Sequence, residues 1–316
     1  MEPSSFTTLT TETDAVDDRR SYEYWENGNE LADDQLGDDE FADDLDADLE
    51  LVVLDLAGTV IVDDGLVERA VERALQAAGI GETPDDWEDA IDYVRLTAGL
   101  PKISVFRDLA DDEDQAQHAN AAFESAYSEL ATEEGVSAVP GAEQLILRLR
   151  AAGVKVAMTT SLSRATQDVL LDQLGWHGLA DLTLSAAEAG RGRPYPDLPL
   201  TALLRTGTSS VEGMVVVGDT ASDIASGIAA GAGLVVGVLS GADDEDTLLD
   251  AGADAVIPSI ADLAELLGFD VDEADLDDAD SDEADLDDAD LDDDERDDSD
   301  LDDEDLDDAT PANDER

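Results

Sequence analysis

The chain has 316 residues, no cysteine, two lysines and a formal net charge of −67. The lack of cysteine excludes disulfides and cysteine-ligated zinc, and no apolar run approaches the roughly 18 residues of a membrane span. A surface this acidic repels nucleic acid and anionic membranes.

Residues 1–49 are polar and acidic, with a small aromatic cluster at Tyr22, Tyr24 and Trp25. They read as a disordered extension, the cluster being a sticky spot or a short docking motif. The start is acidic rather than basic then apolar, so no secretory signal is visible and a cytoplasmic protein is expected. Leu51–Leu54 is an unbroken apolar run ending at Asp55, the pattern of a short strand buried on both faces. Leu66, Val67, Ala70, Val71, Ala74 and Leu75 then fall at helical spacing before Gly79. Helical patterns continue over Trp87–Leu96, Ile103–Leu109 and Gln115–Leu130 with no strand between them, which makes 65–138 a helical insert.

Pro140-Gly141 restart an alternating pattern. Leu145–Ala152 reads as helix, Val154–Thr159 as strand, Arg164–Leu174 as helix and Leu182–Leu184 as strand. Leu198–Thr206 is helical, Met214–Val217 a strand, Ser222–Gly231 a helix and Gly233–Leu239 a strand. Leu248-Leu249, Ala255–Ile257 and Ala261–Leu267 close the domain. Alternating strands and helices predict a doubly wound parallel sheet. Residues 269–316 follow as an acidic tail, with DEADLDDAD repeated at Asp272–Asp280 and Asp282–Asp290. Its few leucines cannot offset the ordering entropy of a core. The repeat lacks the glycine of a calcium loop, so the tail reads as solvated rather than as a calcium or partner site.

Four segments, each at the end of an apolar run, have the composition of a magnesium-dependent phosphoryl site. They are Asp55, the hydroxyls of Thr160 and Ser161, Arg193 in a loop, and the pair Asp219 and Asp223 in GDTASD. A carboxylate attacks phosphorus only where the phosphoryl charge is neutralised. Mg2+ takes oxygen ligands, which suits Asp55 and Asp219, with Asp223 direct or through water. The Thr160 hydroxyl and the Ser161 amide can hold phosphate oxygens, and Arg193 adds a fixed positive charge. His118 and His177 are the two histidines and read as surface or half-buried structural residues.

Over about residues 50–268 the chain resembles the haloacid dehalogenase superfamily, through DLAGT at Asp55–Thr59, Thr160, Arg193 in GRPYPD and GDTASD at 218–223. The resemblance implies an Asp55 nucleophile, a phosphoaspartyl intermediate, Mg2+ with the Ala57 carbonyl as a further ligand, and a mobile cap over 65–138. Superfamily phosphatases carry an acidic residue where this chain has Ala57. The phosphonatase branch has the alanine, and cleaves a carbon–phosphorus bond after its aldehyde condenses with a cap lysine. Lys102, in Gly99-Leu100-Pro101-Lys102-Ile103, resembles that lysine. For Lys102 to condense near neutrality, its pKa must fall well below about 10.4. The chain departs from the branch at Val105, Ala98 and Leu162, where a histidine, a methionine and an aromatic are expected.

The expected architecture is therefore α/β: a Rossmann-like core over 50–64 and 139–268, a helical cap over 65–138 and disordered acidic ends. The expected function is Mg2+-dependent hydrolysis of a small phosphonate or phosphate ester. Lys102 forms an imine with an aldehyde substrate, or stands idle in a generalist phosphomonoesterase. A third reading is a non-catalytic acidic protein whose ends bind basic partners. Dehalogenation needs no metal and leaves Asp219 and Asp223 without a task. A homodimer is compatible with all three.

Overall fold

β1 (Leu51–Asp55) lies in the middle of a six-stranded sheet. The other strands are β2 (Lys155–Thr160), β3 (Leu182–Ser185), β4 (Met214–Gly218), β5 (Leu234–Val238) and β6 (Ala255–Ile257). Every pairing is parallel, in the order β3-β2-β1-β4-β5-β6. The order reverses at β1, so the chain winds outward to both sides of it. The computed structural model describes residues 49–81 and 83–269. The Tyr22–Trp25 cluster and the acidic repeats lie outside the described residues.

The helices between β1 and β2 are α1 (Leu66–Ala78), α2 (Pro84–Leu96), α3 (Lys102–Leu109), α4 (Glu113–Glu134) and α5 (Ala142–Ala151). After β2 come α6 (Arg164–Leu174), α7 (Ala186–Ala189), α8 (Asp197–Thr206), α9 (Ala221–Ala230), α10 (Glu245–Asp250) and α11 (Leu263–Leu266). Alternate residues of β1 serve two cores. Val52 and Leu54 join a cluster with α5, α6 and the helices of the insert, whereas Leu51 and Val53 pack with Leu198 and Ala202 of α8. Burial on both faces explains why the strands read as continuous apolar runs.

The predicted elements stand where the pattern put them, with small differences at the ends. The helix read from Trp87 begins at Pro84, because Thr83 caps it and forms a reciprocal box with Asp86. β2 begins at Lys155 rather than Val154; Lys155 is exposed and pairs with Asp181 at 3.5 Å. The four-residue α7 was not predicted, since one turn carries no periodicity.

Candidate active site

The carboxyl ends of β1, β2 and β4 converge where the strand order reverses, the place at which open α/β sheets bind ligands. Parallel register sets Asp55 opposite Thr159 and ends β4 beside it at Gly218. Asp219 follows β4 directly. Thr220 caps α9 through its side chain and turns Asp223 inward on the first turn. Asp55, Asp219 and Asp223 are all buried, and one oxygen from each lies within 4.8 Å of the others.

Each carboxylate is held. Asp219 Oδ1 accepts from the Thr59 hydroxyl at 3.1 Å, and its Oδ2 from the Ala242 amide at 2.9 Å. Asp223 accepts from the Thr220 hydroxyl and pairs with Arg193 Nε. Asp55 Oδ1 pairs with Arg193 Nη2 at 2.6 Å, and that nitrogen also donates to the Thr159 hydroxyl at 2.9 Å. Arg193 is thus a buried bridge between the β1 acid and the β4 acids. Two glycines make room. A Cβ on Gly58, where φ is 87°, would lie 2.2 Å from Asp219 Oδ2, and one on Gly241 would lie 2.0 Å from it.

Burial pushes the Asp55 carboxyl up to about 7 against the pull of Arg193. Burial and then the Asp55 and Asp223 charges push Asp219 well above the usual carboxylate range. Three clustered carboxylates facing one guanidinium call for more positive charge. The donors are hard oxygens. Among the described residues no hydrogen bond ends on the Ala57 carbonyl, whose neighbours Leu56 and Ile61 close the turn instead. This donor set fits Mg2+.

Of the other predicted positions, Thr160 is buried at the end of β2, and its Oγ1 accepts the Leu162 amide at 3.1 Å. Ser161 is half-buried in the turn that follows. Lys102 opens α3 and is 7% exposed. The loop before it, Ala98–Pro101, lies on the sheet ends. Ala98 O accepts from the Ser222 hydroxyl at 2.9 Å, and a Cβ on Gly192 would meet Pro101 Cγ at 2.2 Å. No ion pair or hydrogen bond ends on Lys102 Nζ among the described residues. Burial pushes its pKa down to about 8 against the attraction of Asp63, Asp55, Glu124 and Asp219. Val105 and Leu162 are buried apolar residues. His118 is exposed, and His177 is exposed beside Asp172 at 2.6 Å.

Several residues that shape the site went unassigned in the sequence. Thr159, one position before Thr160, binds Arg193. Thr59 and the Ala242 amide carry Asp219. Glu124 of α4 accepts the Ser163 amide and the Thr166 hydroxyl, which ties the insert to the turn after β2. The doubled Thr159-Thr160 and the Thr59 of DLAGT were visible signals. Glu124 carried none, because its partners come from a distant helix.

Residues 49–231 match the family model of the haloacid dehalogenase-like hydrolases, and the chain belongs to that family. It is a hydrolase, and it is similar to curated phosphonoacetaldehyde hydrolases. It is 28% identical to the phosphonoacetaldehyde hydrolase of Bacteroides fragilis over 258 residues, spanning 69% of this chain and 95% of that one. It is also 28% identical to the Bacillus cereus phosphonoacetaldehyde hydrolase, over 62% of this chain and 78% of that one. Its fold is similar to that of a phosphonoacetaldehyde hydrolase like protein from Oleispira antarctica, with TM-score 0.61 and 23% identity over 70% and 92% of the two chains. A hydrolase from Pseudomonas syringae gives TM-score 0.60 and 24% identity over 70% and 98%. No helix of the described residues is long and apolar enough to cross a membrane.

Proposed function

We propose that the chain is a Mg2+-dependent phosphonatase-type hydrolase, with Asp55 as nucleophile and Lys102 as the amine that activates an oxo-phosphonate. The observation that carries this reading is Lys102: a buried amine, unpaired, with a pKa near 8, set behind a loop that rests on the sheet ends. An unpaired buried lysine is expensive in free energy and is suited to condensing with a carbonyl. Ala57 supports the same reading, because no carboxyl there can protonate a leaving alkoxide.

Asp55, Asp219 and the Ala57 carbonyl, with Asp223, would hold Mg2+, which when bound offsets the negative charge of the phosphoryl oxygens. Arg193, the Thr160 hydroxyl and the Ser161 amide would hold those oxygens in line with Asp55 Oδ. The Lys102 amine adds to the substrate carbonyl and water leaves, giving an iminium. Asp55 then attacks phosphorus. The carbon–phosphorus bond breaks, and its electron pair moves into the iminium to give an enamine. Water afterwards attacks the phosphoaspartyl group and frees phosphate, while protonation and hydrolysis of the enamine return Lys102. The helices over 65–138 act in this scheme as a cap that excludes water.

Val105 and Leu162 favour a second reading, since no titratable group stands at either position to help imine chemistry. In it the enzyme hydrolyses phosphate esters and Lys102 is idle. Phosphate release from phosphonoacetaldehyde and from a panel of phosphomonoesters, with Mg2+ and molar KCl, separates the two. Asp55→Asn should abolish every activity. Lys102→Arg should lose phosphonate cleavage by at least about 1,000-fold while keeping any ester hydrolysis, and borohydride should trap substrate on Lys102 of the unmodified enzyme. Ester hydrolysis alone, with no trapped adduct, establishes the second reading. Turnover surviving in Asp55→Asn would sink both.

A further inference from the structure

The Tyr127 hydroxyl is buried and has no hydrogen-bond partner. An unpaired buried hydroxyl costs about 1–3 kcal/mol, so it calls either for a defect in packing or for a group that arrives from outside. The surroundings favour an arriving group. The ring packs at 5.9 Å from Phe123, which packs at 6.1 Å from Phe106. Phe123 and Tyr127 stand one turn apart on α4, and Lys102 and Phe106 one turn apart on α3. The Phe106–Phe123 contact therefore sets the Lys102 face of α3 against the Tyr127 face of α4. Both residues are buried, neither polar end has a hydrogen-bond partner among the described residues, and both feel Asp63, Asp55 and Glu124.

Burial, with Asp63 and Asp55, pushes the phenol pKa up, so the group keeps its proton and acts as a donor. A donor needs an oxygen acceptor. The phosphoryl oxygens belong at the sheet ends beside Thr160 and Arg193, whereas Tyr127 stands on the insert with the amine. We propose that Tyr127 is a substrate-contacting residue whose hydroxyl donates a hydrogen bond to the carbonyl oxygen of an oxo-phosphonate held beside Lys102. The assignment rests on the phosphonatase reading above and adds to it the group that recognises the carbonyl.

Tyr127→Phe keeps the ring contacts and removes only the hydroxyl. For phosphonoacetaldehyde kcat/KM should fall about 10- to 100-fold. Hydrolysis of p-nitrophenyl phosphate should stay within about twofold, and Tm should be unchanged or higher. Equal loss on both substrates, or no loss with a higher Tm, overturns the proposal. A second arm needs no turnover. In EDTA, on a Lys102→Met background that cannot form the imine, phosphonoacetaldehyde should raise Tm more than ethylphosphonate does, and adding Tyr127→Phe should abolish that excess. An excess that survives the substitution overturns the proposal. Absence of phosphate release from any substrate by the unmodified protein removes the hydrolase reading on its own, and the binding arm still decides Tyr127.

Discussion

At pH 7 about nine in ten molecules of an amine with pKa near 8 are protonated, and only the neutral form attacks a carbonyl. Lys102, held near 8 by burial, therefore gives a prediction with a fixed sign. For an oxo-phosphonate, kcat/KM should rise about fivefold from pH 7 to pH 8 and level above about pH 9, a limb that ester hydrolysis lacks. A profile identical for both substrates removes Lys102 from the chemistry. The same shift enters stability. Between pH 8 and 10.5 the unfolded lysine holds a proton that the folded one has lost, so stability should rise with pH across that window. Lys102→Met should flatten the rise, read as Tm against pH. Gln167 offers a purely structural test at the same scale. Its side chain is fully buried on α6, and neither its Oε1 nor its Nε2 finds a partner. Gln167→Met keeps the volume and removes the unpaired amide. It should add about 1–2 kcal/mol, or about 2–8 °C in Tm; a loss of stability would show that the amide is satisfied in solution.

The loop Ala98–Pro101 is one element through which the insert meets the sheet ends. Gly99 sits at φ 78° with Thr220 Oγ1 only 2.3 Å from where a Cβ would stand, and Gly192 faces Pro101 in the same way. Asp55, Lys102, Arg193, Asp219 and Asp223 are all buried, and in the proposed mechanism substrate enters when this loop parts from the sheet ends. Gly192→Ala should hinder reclosure without touching any charged group. We expect kcat to fall about tenfold or more with Tm lowered by less than about 3 °C, and unchanged kcat would show that closure tolerates the methyl. The same elements explain what could be read from the chain alone. Asp55, Thr160, Arg193, Asp219 and Asp223 were legible because β1, β2 and β4 are buried on both faces, so each apolar run stops at the site. Gly79 and Gly175 close α1 and α6 in left-handed geometry, which made those ends legible too. The Ala242 amide on Asp219, Glu124 and Tyr127 were not legible. Their roles come from segments far apart in the chain that meet only once it is folded, and no local pattern encodes such a meeting.

Residues 51–269 carry 12 Lys and Arg against 37 Asp and Glu, so the part of the chain that folds into sheet and helices holds a large surplus of negative charge. Most of the scarce cations are already engaged. Arg69 pairs with Glu134, Arg95 with Glu68, Arg107 with Glu113 and Arg191 with Asp197, and Arg193 is spent inside the site. Salt acts on these two populations in opposite directions. It weakens the exposed pairs, each of which is worth at most about 1 kcal/mol. It also screens the surplus repulsion, which extends over the whole surface and favours the unfolded chain. The Debye length falls from about 10 Å at 0.1 M to about 3 Å at 1 M. The surplus should win. Raising KCl from 0.1 to 2 M should raise Tm by on the order of 10 °C. Millimolar Mg2+ should add a further rise that saturates, and Asp219→Asn should remove that second rise while leaving the first. A Tm that falls with KCl would mean that the few ion pairs outweigh the surplus. A saturable Mg2+ rise that survives Asp219→Asn would place the divalent ion on the acidic surface rather than among Asp55, Asp219 and Asp223.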